Sequence, residues 1–289
     1  MCLIAFAIGA SQRLPLVIAA NRDEFLNRPT LQLDRWQTAC GQEIISGRDL
    51  RAGGTWLGIT PGGRVAFLTN VREATPQAFP FSRGELVTRW LEGSMDAKTF
   101  AALLEKDKHY YGGFNLVLGD VPRNAWSWLT NRPAERAALW HMQSLPPGIY
   151  GLSNAALDTP WPKTVALKKA LTAAMHLETR LDAIGDAWQT PLWAALGNQE
   201  IIPSLSLHEN EFFQAFDSAL SSAFVDIPER GYGTRSSTVL VVRKLEQASA
   251  ASFSRVDVTE RTHTRLLGDK AFAEFFSSFD FFLELPKIL

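Results

Sequence analysis

Cys2 is the residue of this chain best placed to act as a nucleophile, because it directly follows Met1. A small residue at this position usually permits removal of the initiator methionine, which would leave one residue with both a thiol and a free α-amine. A thiolate is a strong nucleophile, and an α-amine with a pKa of about 8 can act as the neighbouring base without a histidine. The sequence therefore predicts that the mature chain begins with its own catalytic pair.

The sequence NRDE at 21–24 supplies charged side chains that could assist such a pair. Apolar runs at 2–9 and 15–20, separated by a polar stretch with glycine and proline, predict two buried strands joined by a turn. A hairpin of these strands would return residues 21–24 to the neighbourhood of Cys2. The element that positions the predicted chemistry is therefore the first hairpin.

The composition is that of a chain that can bury a large core, and it predicts neither nucleic-acid binding nor a membrane span. Of its 289 residues, 46% are hydrophobic and 20% charged, and we interpret 1–289 as a single domain. The formal net charge of −1 offers no basic stripe for nucleic acid. No window approaches the roughly 18 uninterrupted apolar residues of a membrane span. The apolar start of the chain also lacks the basic region of a secretory signal.

Cysteine usage indicates a reducing compartment. The chain has two cysteines, Cys2 and Cys40, which do not make a disulfide framework. We therefore expect a cytoplasmic protein. The sequence carries no indication of its oligomeric state.

Predicted strands and helices are grouped along the chain rather than alternating, which favours an α+β sandwich over βαβ units. Beyond the first hairpin, β-prone runs and turn clusters predict further strands at 54–60, 64–70, 114–120, 124–130, 137–143, 148–153, 234–246 and 252–260. Capping-box sequences at Ser82 and Ser206 and helical spacing predict helices after those residues and at 97–106, 163–177, 180–196 and 269–280. In the last of these, phenylalanines at 272, 275, 276 and 279 share one face, which predicts a core-facing helix.

Seven short motifs are spread over nearly the whole chain. They are MCLI at 1–4, NRDE at 21–24, AGGTWLG at 52–58, LTN at 68–70, GFNL at 113–116, LSN at 152–154 and YGTRSST at 232–238. In this order they resemble the NRDE family, which includes transport and Golgi organization protein 2. The resemblance implies an αββα four-layer sandwich of two antiparallel sheets between helical layers, similar to N-terminal nucleophile (Ntn) hydrolases. In that fold the nucleophile starts the first strand.

The wider resemblance to bile-salt and penicillin V acylases implies roles for residues of matching type. Cys2 would be the nucleophile that attacks an amide or thioester carbonyl, with its own α-amine relaying the proton. Arg22 and Asp23 would orient the amine and stabilise the thiolate. Arg22 and Asp23 are adjacent, however, and would point to opposite faces of a regular strand. Which of Asp23 and Glu24 faces the site therefore stays open at this point.

The resemblance extends to three more distant residues. Asn70 and Asn154 each end a predicted strand and resemble the asparagines that supply oxyanion and amine contacts, a role whose loss typically costs about 3–4 kcal/mol. Arg235 would close the constellation from a late strand. The predicted catalytic set is thus Cys2, Arg22, Asp23, Asn70, Asn154 and Arg235.

Each of these features also has a structural interpretation. Cys2 could be a buried small hydrophobic residue, and Arg22 with a neighbouring acid could form a salt bridge at a strand end. Asn70 and Asn154 could be turn residues. The Gly53-Gly54 pair lacks the Lys-Ser/Thr ending of a phosphate loop, so a tight turn or close backbone packing is expected there.

Ligand carriage is the main alternative to catalysis. The five histidines show no zinc-binding spacing, so no metal site is expected. Haem needs only one axial Cys or His beside an apolar slot, and the NRDE resemblance implies haem trafficking as well as acyl metabolism. The two hypotheses are therefore a cofactor-free cysteine hydrolase acting on a small acyl amide or thioester, and a carrier of haem or of an acyl-CoA-like lipid.

Overall fold

Two antiparallel sheets stack face to face in a computed structural model that describes residues 2–73, 78–133, 139–180, 186–202, 218–245, 252–265 and 272–285. The strands are β1 Cys2–Ile8, β2 Leu16–Phe25, β3 Thr30–Gln37, β4 Glu43–Asp49, β5 Leu57–Ile59, β6 Arg64–Asn70, β7 Phe114–Asp120, β8 Ala125–Thr130, β9 His141–Ser144, β10 Gly148–Leu152, β11 Asp226–Ile227, β12 Tyr232–Lys244, β13 Ser252–Arg265 and β14 Phe272–Leu285. The α-helices are α1 Gly84–Glu92, α2 Ala97–Asp107, α3 Pro162–Arg180 and α4 Thr190–Leu196. Short 3₁₀ turns occupy Lys108–Tyr110, Ala187–Gln189 and Pro228–Arg230.

The first sheet has the order β10-β1-β2-β12-β13-β14, with β11 paired to β12. All its strand pairs are antiparallel. β1 and β2 form the predicted hairpin and lie in the interior of the sheet, so their apolar residues are buried on both faces. The predicted β12–β13 pair is confirmed as well.

The second sheet has its strands in chain order from β3 to β9. A turn at Thr60–Gly63 joins β5 to β6, and its Gly63 has a φ of +82°, in the left-handed region that favours glycine. The predicted strands at 64–70, 114–120 and 124–130 are therefore confirmed. The prediction for 137–143 is confirmed only at its end, because β9 begins at His141 and residues 134–138 lie outside the described part.

Side-chain alternation divides the core into three layers. In β1, Ile4 and Phe6 face the space between the sheets, and Leu3 and Ala5 face the helices. α3 and α4 cover the outer face of the first sheet, and α1 and α2 cover the outer face of the second. The predicted four-layer αββα sandwich is thus confirmed. None of the described helices combines the length and apolar character needed to cross a bilayer.

The predicted helix at 269–280 is wrong, because residues 272–285 form the edge strand β14. Its pairing with β13 runs without interruption from Phe272 opposite Arg265 to Leu285 opposite Ser252. The predicted burial is wrong for Phe275 and Phe276, which are 50% and 65% exposed, whereas Phe279 packs against the core between the sheets.

Other departures are local. The strands β3 and β4 were not expected from the sequence. The capping box at Ser82 does not form: α1 begins at Gly84, and the cap residue Arg83 makes no side-chain capping bond. Ser206 lies outside the described residues. Of the predicted helix at 180–196, residues 181–185 also lie outside them, and 187–196 form a 3₁₀ turn followed by α4.

Candidate active site

Cys2 lies in the wall of a cavity of about 100 Å³ at the end of β1. The cavity is bordered by the ends of β1, β2, β4 and β6, by the segment before β5, and by the first residues of α1. Its lining is mostly polar and carries charges of both signs. The lining residues are Cys2, Arg22, Asp23, Glu24, Arg28, Asp49, Thr55, Trp56, Leu68, Asn70, Ser82, Arg83 and Gly84.

The register of the first hairpin brings Cys2 and Arg22 together. They are directly opposite each other in the β1–β2 pair, and opposite residues of an antiparallel pair project from the same face with Cβ atoms about 4.5–5.5 Å apart. That face is the one between the sheets, because Ile18 and Ala20 of β2, four and two residues before Arg22, point the same way and belong to the central core. The hairpin thus performs the positioning predicted for it.

The Cys2 side chain is only 7% exposed. Burial raises the pKa of its thiol above the ordinary value of 9.0, and the negative charge of Asp23 adds to this effect. The positive terminus of the unprocessed chain, the Arg22 guanidinium and a hydrogen bond from the backbone N–H of Asp23 act in the opposite direction. The thiol is therefore protonated near neutral pH and needs a base in order to react.

Three contacts hold the guanidinium of Arg22. Its Cζ lies 4.1 Å from the centre of the Trp56 ring, a cation–π distance. Nη1 is 3.4 Å from Thr30 Oγ1, and Nη2 is 3.8 Å from a carboxylate oxygen of Glu24. Trp56 belongs to the AGGTWLG motif, so this motif contributes a tryptophan that contacts Arg22 in the cavity.

Asp23 and Glu24 both line the cavity, in different environments. Asp23 is 3% exposed and accepts a hydrogen bond of 2.7 Å from Thr234 Oγ1. Burial raises the pKa of its carboxyl group, opposed by the chain terminus and by Lys163. Glu24 is half-buried and lies 3.8 Å from both Arg22 and Arg28. The charge of Asp23 thus acts on the Cys2 thiol, whereas Glu24 balances the arginines.

Among the described residues no cluster of three His, Cys, Asp or Glu side chains could hold a metal ion.

Lys163 is a buried residue near the site that the sequence analysis missed. It lies in the first turn of α3, is 4% exposed, and its Nζ donates to the carbonyl oxygens of Leu220 at 2.7 Å and Ser222 at 3.4 Å. Burial lowers its pKa, and the charges of Asp23 and Cys2 oppose this. No signal in the sequence distinguishes it from the other lysines of the same helix.

Asn70 and Asn154 have different positions, although they were predicted together to supply oxyanion and amine contacts. Asn70 lines the cavity, and its side-chain amide has no hydrogen-bond partner in the part of the chain that the structure describes. Asn154 is 2% exposed and its Nδ2 donates to the Asn70 backbone carbonyl at 2.8 Å. Asn154 therefore positions Asn70, and of these two asparagines only Asn70 lines the cavity.

A buried hydrogen-bond network extends this positioning. Ser153 Oγ donates to the backbone carbonyl of Cys2 at 3.0 Å. Thr69 Oγ1 donates to the carbonyl of Ser153 and accepts a bond from Asn115 Nδ2 at 3.2 Å. The motifs LTN, GFNL and LSN thus join the end of β1 to the ends of β6 and β7.

Arg235 does not line the cavity, in contrast to its predicted catalytic position. β12 carries one extra residue at this point, because the register with β2 shifts between Thr234 and Ser236. Such a bulge redirects a side chain. Nη1 of Arg235 instead donates to three backbone carbonyls of the turn at 25–28, at 3.0–3.1 Å. Arg235 therefore fixes the turn that carries Arg28.

The glycine pair of the AGGTWLG motif serves close packing, as the sequence predicts. Gly53 has a φ of +76°, in the left-handed region. A Cβ atom on Gly54 would lie 2.5 Å from the backbone carbon of Gly84, so no larger residue fits there. This contact places the N-terminal end of α1 against the cavity.

The chain belongs to the family described as Transport and Golgi organisation 2, which it matches over residues 1–264. A bovine transport and Golgi organization protein 2 homolog is 34% identical over 255 residues, which cover 84% of this chain and 88% of the bovine protein. The human homolog is 33% identical with the same coverage, and the Drosophila melanogaster protein 25% over 265 residues.

Two solved structures align with most of this chain at low TM-scores. A Caenorhabditis elegans ortholog of N-acylethanolamine-hydrolyzing acid amidase aligns with a TM-score of 0.45 at 11% identity, covering 83% of this chain and 92% of that protein. A C2A mutant of conjugated bile acid hydrolase from Clostridium perfringens aligns with a TM-score of 0.40 at 6% identity, covering 94% and 92%. Similarities at this level support no inference about activity.

Proposed function

We propose that this protein is a cysteine hydrolase that cleaves an amide or thioester bond through an acyl-Cys2 intermediate. One observation carries the proposal: Cys2 begins the first strand, opposes Arg22 in register, and shares a polar cavity with Asp23 and Asn70. A buried cysteine that served packing alone would not need a polar cavity at its sulfur.

The reaction begins after Met1 has been removed, so that the α-amine belongs to Cys2. This amine, with an ordinary pKa of about 8, takes the thiol proton while the sulfur attacks the substrate carbonyl. A carbon–sulfur bond forms, the bond to the leaving nitrogen or sulfur breaks, and the proton passes to the leaving group. Water then hydrolyses the thioester, which returns the thiol. A base is needed because burial raises the pKa of the Cys2 thiol.

The cavity residues have separate roles in this reaction. Asn70 donates from its side-chain amide to the oxygen that becomes negative in the tetrahedral intermediate. Arg22 stabilises the developing thiolate from the opposite strand position. Asp23 holds the α-amine once it carries the proton, and Lys163 balances the charge of Asp23 from the helical layer.

Intact-mass analysis with an acylating probe tests the proposal directly. The mature protein should lack the mass of Met1, and a panel of acyl N-acetylcysteamine thioesters and acyl aminomethylcoumarin amides should be turned over with transient acylation of Cys2. Cys2→Ala should abolish turnover and labelling at an unchanged melting temperature. Cys40→Ser is the matched control, because Cys40 is exposed and lies outside the cavity. Retention of Met1, or equal labelling of Cys2→Ala, would contradict the proposal.

Haem carriage stays a prediction from the sequence resemblance alone, since no contact among the described residues favours it. The cavity at Cys2, at about 100 Å³, is smaller than the roughly 300–1,000 Å³ typical of small-molecule sites. A saturable change of the Soret band on titration with haem, lost in Cys2→Ala, would support haem as a ligand of this site.

A further inference from the structure

A second, larger cavity adjoins the one at Cys2. It has a volume of about 530 Å³, within the range of small-molecule sites. Arg28, Ser82 and Arg83 line both cavities, so the two lie side by side. A substrate whose carbonyl reaches Cys2 therefore extends naturally into the larger space.

The larger cavity has three arginines and one glutamate in its lining. Of its arginines, Arg28 is paired with Asp49, at 2.5 Å between Nη2 and Oδ2. Arg51 and Arg83, in contrast, have no carboxylate within ion-pair distance among the described residues. The acid of this cavity, Glu85, accepts a hydrogen bond from the hydroxyl of Tyr111 at 3.1 Å and lies 3.8 Å from Nη1 of Arg89, which is outside the lining.

The position of Arg83 favours binding of an anionic group. Burial lowers its pKa from the ordinary 12.5, which reflects a guanidinium that has lost part of its hydration. Its Nη1 donates to the carbonyl of Gly113 at 3.1 Å, and within the described ranges its side chain makes no other hydrogen bond. Arg83 also precedes the first turn of the nine-residue helix α1, whose positive end favours anions.

The remaining wall of the larger cavity includes aromatic side chains that could contact an apolar group. Phe79 and Phe81 line it beside the arginines. Phe81 is 46% exposed although its ring contacts Tyr110 and Tyr111, at centroid distances of 5.6 Å. A ligand that covered this ring would bury apolar surface that now faces water.

Resting on the proposed function, we propose that the larger cavity is the specificity pocket of the Cys2 site. It binds an anionic group of the acyl substrate, a carboxylate or a phosphate, through Arg51 and Arg83, with the adjoining apolar part on Phe81. The substrate class is accordingly an amide or thioester that carries a negative charge away from the scissile bond. Arginine suits both groups, because its planar donors match carboxylate and phosphate oxygens.

Direct binding tests the pocket independently of catalysis. Isothermal titration of the Cys2→Ala protein with pyrophosphate and with glutarate distinguishes a phosphate ligand from a carboxylate ligand. We expect saturable binding of at least one anion, weakened about tenfold or more in Arg51→Gln and in Arg83→Gln, since hydrogen bonds between charged groups are the strong ones. Arg123→Gln is the matched control, because Arg123 is exposed and lies outside both cavities. Melting temperatures of all variants verify folding, and Arg51→Gln keeps the test valid if Arg83→Gln does not fold.

Turnover distinguishes failure of the pocket from failure of the proposed function. With Cys2 intact, the ratio of kcat/KM for a glutaryl thioester to that for a pentanoyl thioester should exceed one and fall about tenfold in Arg51→Gln. Cys2-dependent hydrolysis with no anion binding and no such preference would overturn the specificity pocket alone. Anion binding without any Cys2-dependent turnover would overturn the proposed function and, with it, the assignment of the pocket to a reaction.

Discussion

Replacing Thr69 by valine removes one buried hydroxyl group and keeps the branched shape of the side chain. Thr69 is fully buried at the end of β6, next to the candidate oxyanion donor Asn70. Its Oγ1 donates to the carbonyl of Ser153 and accepts from Asn115 Nδ2. The substitution therefore tests the network that joins the two sheets at the candidate site.

The expected loss of stability follows from the groups left behind. The carbonyl of Ser153 loses its donor in a buried position, while Asn115 Nδ2 keeps a bond of 2.7 Å to the carbonyl of Ala155. One unsatisfied buried group costs about 1–3 kcal/mol, so we expect Thr69→Val to lower the free energy of unfolding by about 2 kcal/mol. For a chain of this size the melting temperature should fall by about 4 °C.

Differential scanning calorimetry measures this change against a matched control. Thr172 of α3 is the control position, because its Oγ1 bonds only to the Lys168 carbonyl one turn earlier, and such helical bonds add little stability. Thr172→Val should leave the melting temperature within about 1 °C of the unmodified protein. If Thr69→Val behaved like Thr172→Val, the buried network would not contribute as the structure implies.

Three further changes test other parts of the site. Asn70→Ala should reduce kcat/KM toward the thioester panel by about 10²–10³-fold without lowering the melting temperature, and unchanged kinetics would exclude Asn70 as oxyanion donor. Arg235→Met should lower the free energy of unfolding in urea by roughly 2 kcal/mol, because three carbonyls lose a charged donor; lost turnover at full stability would instead favour a catalytic role. His263 has a pKa lowered by burial and by Arg261, against the opposing charge of Glu274. As pH falls through 6.5, the histidine is therefore protonated in the unfolded state before it is protonated in the folded state. The free energy of unfolding should then fall by at most about 1.4 kcal/mol per pH unit. His263→Gln should lack this slope when urea unfolding is measured at pH 5–7.

The first hairpin was predictable from the sequence because its signals are local. An apolar run, a turn and a second apolar run specify two strands, and the register then places Cys2 opposite Arg22. The position of Arg235 was not predictable, because a β-bulge depends on how two distant strands pair. The sequence around Arg235 reads as a regular strand, and only the shift between Thr234 and Ser236 turns its side chain away.

The misassigned strand β14 has a different cause. Phenylalanines at 272, 275, 276 and 279 satisfy helical spacing, but Phe279, Phe281 and Leu283 also satisfy the period of two, and these three pack against the core between the sheets. Short apolar patterns cannot distinguish the two periods. Pairing with β13 decides in favour of the strand. β3 escaped detection for the opposite reason, since only Leu33 of its eight residues is buried.

The hydrogen bonds of the polar motifs distinguish side chains that are bonded inside the protein from side chains that face the cavity, which residue type alone could not do. The side-chain amides of Asn21, Asn115 and Asn154 all donate to backbone carbonyls inside the protein, and that of Asn115 also donates to Thr69 Oγ1. Their partners lie on different elements, so these amides hold the layers in register around the cavity. Cys2 and Asn70 instead face the cavity. A polar atom left available at the end of a fully bonded network is preorganised for a partner that arrives from outside, which is the arrangement that catalysis by charge stabilisation requires.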